Sequence, residues 1–82
     1  GIKALGRVEN TTGAEATMTY IAVILFDAQN KPIGLLYTIL TETLAAGEKI
    51  GFEAAGFALP DEVTKSAIAS QKAVAFNYQY QF

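Results

Sequence analysis

Between residues 17 and 26 the chain is apolar on both sides of a two-residue alternation. Ile21, Val23 and Leu25 point one way while Met18, Tyr20, Ala22, Ile24 and Phe26 point the other, because successive side chains of a strand project to opposite faces. The run is dense in β-branched and aromatic residues and has no polar stripe at helical spacing, which predicts a strand. Asp27, Asn30 and Pro32 interrupt it, since Asp and Asn side chains bond nearby backbone in turns and proline lacks the amide a sheet requires. A second strand over 33–40 is again apolar on both sides, so the pair predicts a hairpin with a short polar loop.

The flanking segments are quieter. Residues 2–9 alternate loosely, with Lys3, Arg7 and Glu9 supplying the charges that keep an edge strand from pairing with other chains. Asn10-Thr11-Thr12-Gly13 reads as a turn; it is also formally an acceptor for N-glycosylation, which matters only in a eukaryotic secretory setting. In the polar connection over 41–48, Leu44 is expected to plug the end of the core. Residues 49–54 alternate with Ile50, Phe52 and Ala54 inward and Lys49 and Glu53 outward. Pro60 followed by Asp61 and Glu62, with Leu59, Val63 and Ala67 or Ile68 at helical spacing, predicts one short helix near 60–70. The closing strand, 72–82, places Val74, Phe76, Tyr78, Tyr80 and Phe82 on a face expected to be core. Ala75, Asn77, Gln79 and Gln81 form a face expected to be wet.

Five strands at short spacing with at most one helix predict a mainly β protein, an antiparallel sandwich or small barrel. Its 82 residues make one domain, 1–82, near the size at which a single core just suffices. Val23, Leu25, Phe52 and Phe76 are expected to share that core.

Composition narrows the chemistry. With neither cysteine nor histidine, disulfides, thiolate metal sites and the usual nucleophile–base pairs are excluded. Ser66 and Ser70 have only lysines such as Lys65 and Lys72 as bases, and the acid pairs Asp61 with Glu62 and Glu42 with Glu48 read as solvated loop carboxylates. Asp27 and Asn30 lack the acid density of a calcium loop and read as turn formers. No Gly-rich loop of nucleotide-binding spacing occurs. No catalytic residue, metal or cofactor is therefore expected. A formal charge of −2, with six basic and eight acidic residues, provides no basic stripe for nucleic acid. No apolar run is long enough for a membrane span, and the first residues do not read as a basic-then-apolar leader. The start at Gly1 rather than Met marks an expected processed or excised piece.

Several motifs fall in the order of a known family. Gly6-Arg7-Val8-Glu9-Asn10, Tyr20-Ile21-Ala22-Val23 leading to Leu25-Phe26-Asp27, Ile33-Gly34, Leu44-Ala45-Ala46-Gly47-Glu48 with Phe52, and the closing aromatic strand resemble the bacterial and archaeal FxLYD family. Val23 and Phe26 stand where that family has its name-giving Phe and Tyr, and 57–71 is longer than the family pattern. The resemblance implies an immunoglobulin-like β-sandwich, an accessory module of envelope or secreted proteins with an extracytoplasmic location, and no known catalytic residues.

One signal remains, the two-sided apolarity of the central hairpin. Tyr20, Ile24, Phe26, Leu36 and Leu40 are candidates for a surface that meets protein, either a second copy or a neighbouring domain. Alternatively, 57–71 folds over that face with Leu59, Val63 and Ile68. The expected function is a non-catalytic extracytoplasmic interaction or spacer module; the alternative is a small apolar ligand-binding domain whose pocket would be lined by Tyr20, Phe26 and Ile68.

Overall fold

Strands form where the alternation predicts them: β1 Ala4–Glu9, β2 Thr19–Phe26, β3 Pro32–Leu40, β4 Lys49–Ala58 and β5 Ser70–Asn77. The computed structural model describes residues 2–77, with every side chain in that span except those of Phe57 and Asn77. The expected aromatics Tyr78, Tyr80 and Phe82 lie outside the described residues. All neighbouring strands are antiparallel, in the order β1-β4-β3-β2-β5. Where a sandwich of two sheets is expected, hydrogen bonding joins all five strands into one sheet. The reason is the length of β4, which pairs with β1 from Lys49 to Ala54 and with β3 through Ala55, Gly56 and Ala58.

The core lies on one face of this sheet. Ile21, Val23 and Leu25 of β2, Leu36 and Leu40 of β3 and Ala54 of β4 are buried together, and Ala4, Val8, Ile50, Phe52, Leu59 and Ile68 pack against them. Each large side chain so buried contributes about 1.5–3 kcal/mol. The sheet curls around this face: Val8 and Glu9 from one edge strand and Ala75 and Phe76 from the other line a single cavity of about 140 Å³. Leu44, expected to plug the end of the core, is almost fully buried and lines the same cavity, but it stands apart from the main core cluster.

Two close approaches depend on glycine. Gly6 stands opposite Phe52, and a Cβ there would lie 2.7 Å from the end of the ring, so the ring lies against bare β1 backbone. A Cβ on Gly34 would lie 2.7 Å from Leu59 Cδ1 and 3.5 Å from Leu25 Cδ1. Leu59 thereby closes the opposite end of the core.

Side-chain hydrogen bonds set the loops. Asp27 Oδ1 accepts from the amides of Gln29 and Lys31, each at 2.9 Å, while Asn30 takes a left-handed φ of 63°, the conformation Asn tolerates best. Asn10 is a buried hub: its Nδ2 donates to the carbonyls of Ala14 (2.7 Å), Leu44 (3.0 Å) and Ala45 (3.3 Å), and its Oδ1 accepts from the Thr12 amide and hydroxyl. It ties the loop after β1 to the loop before β4. Reciprocal backbone bonds between Ala16 and Leu44, 2.9 and 2.8 Å, tie them again.

The short α-helix expected near 60–70 does not form among the described residues. Strand β4 runs on to Ala58, the Val63 amide donates to the Pro60 carbonyl, and a single 3₁₀ turn spans Lys65–Ala67. Leu59 and Ile68 are drawn into the core from positions that a helix would have held on one stripe, and closing the core outweighs the weak local helix signal.

Candidate functional site

Register determines which side chains reach the opposite, outer face. Residues directly opposite each other in an antiparallel pair share a face. With Ile21, Val23 and Leu25 inward, the outer face carries Tyr20, Ala22 and Ile24 of β2. Beside them are Ile39, Tyr37 and Leu35 of β3 on one flank and Phe76, Val74 and Lys72 of β5 on the other. Ile39, Phe76 and Val74 are 41%, 40% and 39% exposed, and the other apolar members are half-buried. The ring of Tyr20 lies between those of Phe76 and Tyr37, with centroids 5.4 and 6.4 Å away.

This arrangement corrects two expectations. Leu36 and Leu40, candidates for the surface, are 1% and 8% exposed core residues; Tyr20, Ile24 and Phe26 are half-buried, with Tyr20 and Ile24 on the outer face. The cause is a register shift between Leu25 and Phe26: Phe26 pairs with Pro32, but Leu25 pairs with Gly34. A one-residue slip exchanges the faces of a strand. Continued without the shift, the pairing would have put Leu35, Tyr37 and Ile39 inside. Phe76 and Val74, expected in the core with Val23 and Leu25, are on the outer face as well, because Ala73 and Ala75 occupy the positions opposite Val23 and Ile21.

The outer face changes character at β4. Over the β1–β4 ribbon it is charged, with Lys3 bonded to Glu53 at 2.9 Å and Lys49 3.8 Å from Glu9; over β3, β2 and β5 it is apolar except for Lys72 and Ser70 at its margin. The segment expected to cover the apolar part, 57–71, instead sends Leu59 and Ile68 into the core.

The polar candidates are dispersed. The Ser66 hydroxyl lies 3.0 Å from that of Thr64, while Ser70 and Lys72 are in β5. Glu48 Oε1 accepts from the Ala45 amide. Asp61 and Glu62 occupy an exposed turn. Among the described residues no three potential metal ligands cluster, and no helix is long and apolar enough to cross a membrane. A shallow groove of about 670 Å³ runs along the start of β3 and the end of β4, lined by Ile24, Ile33, Leu35, Leu59 and their neighbours.

Compared with models of protein families, with curated proteins and with solved structures, the chain matches none. The FxLYD resemblance thus gains no support beyond the motifs quoted for it.

Proposed function

We propose that this protein is a non-catalytic interaction module that docks to protein through the outer face of β3, β2 and β5. The observation that carries the reading is the exposure of Ile39, Val74 and Phe76 on one apolar surface, beside a β1–β4 ribbon whose outer side is charged. Contiguous apolar surface of this kind is often a contact site. An extracytoplasmic setting, as an accessory or spacer module, accords with the FxLYD-like motifs.

A second reading, a small apolar ligand held in the groove of about 670 Å³, takes second place. Its lining, Ile24, Pro32, Ile33, Gly34, Leu35, Ala58, Leu59 and Pro60, contains no polar side chain, whereas ligand sites combine an apolar wall with a few polar groups that orient the ligand.

Charge substitution tests the main reading. Ile39→Lys and Ile24→Lys are expected to leave the cooperative melt in place, while Val23→Lys, one residue from Ile24 but inward, unfolds the chain by burying an unpaired charge. If the outer-face variants unfold as Val23→Lys does, the face serves folding and the reading is lost.

A further inference from the structure

We propose that the edge of β5 turned away from β2 is a strand-pairing site whose occupant is the β5 of a second copy of this chain, antiparallel and related by a twofold axis. This inference rests on the reading of the β3–β2–β5 layer as the docking surface and names both its partner and its mode.

The two edges of the sheet differ. Strand β1 carries Lys3 just before it and Arg7 and Glu9 within it, the charges that discourage pairing at an edge. Strand β5, eight residues long, reads Ser-Gln-Lys-Ala-Val-Ala-Phe-Asn. It has one charge, no proline and no register shift in its pairing with β2. Among the described residues no strand lies against its outer edge at residues 70–75, and all of these side chains are exposed. A long regular edge with so little charge is a template for another strand.

Self-pairing fits the side chains. In a twofold antiparallel pair, outer-face residues oppose outer-face residues, so the axis passes through a residue. Centred on Ala73, the pairing sets Lys72 opposite the partner's Val74; centred on Val74, it sets Lys72 opposite the partner's Phe76. In neither register do two lysines meet, and each lysine stem can lie along an apolar neighbour. The inner positions are alanine at 73 and 75, small enough not to obstruct an approaching strand.

Edge pairing adds a ladder of backbone hydrogen bonds and joins the two apolar faces into one across the axis.

The test is sedimentation equilibrium over a wide concentration range, combined with amide hydrogen exchange of the 70–77 segment, on wild type, Val74→Lys and Ile39→Lys. Wild type is expected to dimerise, with protection of the 70–77 amides rising with concentration. Val74→Lys sets like charges against each other in both registers and is expected to dissociate the dimer about tenfold more readily while its melt remains cooperative. Ile39→Lys, two strands from the edge, weakens the dimer less than Val74→Lys does, and the concentration-dependent protection of 70–77 remains. A wild type that stays monomeric overturns self-pairing and leaves the outer-face reading to its own stability test. A dimer lost in Ile39→Lys, with no concentration-dependent protection of 70–77, also overturns the edge mode while sustaining the outer face. Unfolding of both lysine variants would defeat the outer-face reading itself.

Discussion

The ring of Phe76 stacks on that of Tyr20 across the β2–β5 pair, with centroids 5.4 Å and planes 12° apart, on the side of the sheet opposite the core. The two residues are directly paired, so their backbone register holds the rings in offset contact. A double-mutant cycle between Tyr20→Ala and Phe76→Ala is expected to yield a coupling of about 0.5–1.5 kcal/mol in denaturant unfolding. Phe76→Ala alone should cost well under the about 3–5 kcal/mol of a core phenylalanine. A loss in that higher range would place Phe76 in the core after all.

Leu36 and Ile39 divide by face. Leu36→Ala removes a fully buried side chain and is expected to cost about 2–5 kcal/mol. Ile39→Thr keeps a β-branched residue on the exposed side and should change stability by less than about 0.5 kcal/mol. Equal costs in urea titrations would contradict the register between β2 and β3.

Asn10 satisfies three carbonyls from two loops, so Asn10→Ala orphans acceptors that are partly or wholly buried and should cost about 3 kcal/mol. Asn10→Asp is a sharper probe. Its carboxyl would face the carbonyl oxygens of Ala14 and Leu44, which disfavours the charged form and raises its folded pKa above the unfolded value of about 3.9. The folded state then binds the proton more tightly than the unfolded state. Relative to wild type, the variant is therefore least impaired below about pH 4 and loses stability as pH rises through its folded pKa. Melting temperatures across that range would show the slope, and a flat difference would refute the hub.

Gly34 and Leu59 compete for one space. Gly34→Ala forces Leu59 aside and is expected to cost about 1–3 kcal/mol. In a Leu59→Ala background the same substitution should cost much less, because the atom it strikes is gone. Additive effects would mean that the strain at Gly34 comes from elsewhere.

Asp27→Ala removes the two hydrogen bonds that its carboxylate accepts from the Gln29 and Lys31 amides and should cost about 1 kcal/mol for each. Calcium titration is expected to leave the melting temperature of wild type unchanged. A rise with calcium would reveal a native-state site by mass action and displace the turn-forming role.

Much of the architecture is legible in local pattern. Alternation locates β1, β2 and β3 to within two residues. Asp27, Asn30 and Pro32 mark the hairpin loop, and Leu44 stands out as the one large apolar residue in a polar connection. The parity of β2 is legible too, since Ile21, Val23 and Leu25 form a complete aliphatic row. These features follow from period-two geometry and turn chemistry, which act over a few residues.

The site was only half legible. Tyr20 and Ile24 follow from the parity of β2, but Leu35, Tyr37 and Ile39 were hidden by a bulge that exchanges the faces of a strand apolar on both. The aromatic row of β5 misled because alternation shows that two faces differ without showing which one meets the core; the pairing of Ala73 with Val23 and of Tyr20 with Phe76 decided it. The helix expected near 60–70 gave way to the requirement that Leu59 and Ile68 close the core. Sequence by itself determined where β1, β2, β3 and the hairpin loop lie, because those depend on neighbouring residues. Tertiary structure alone decided which apolar face is inside and which is left outside, because that choice depends on pairing between segments far apart in the chain.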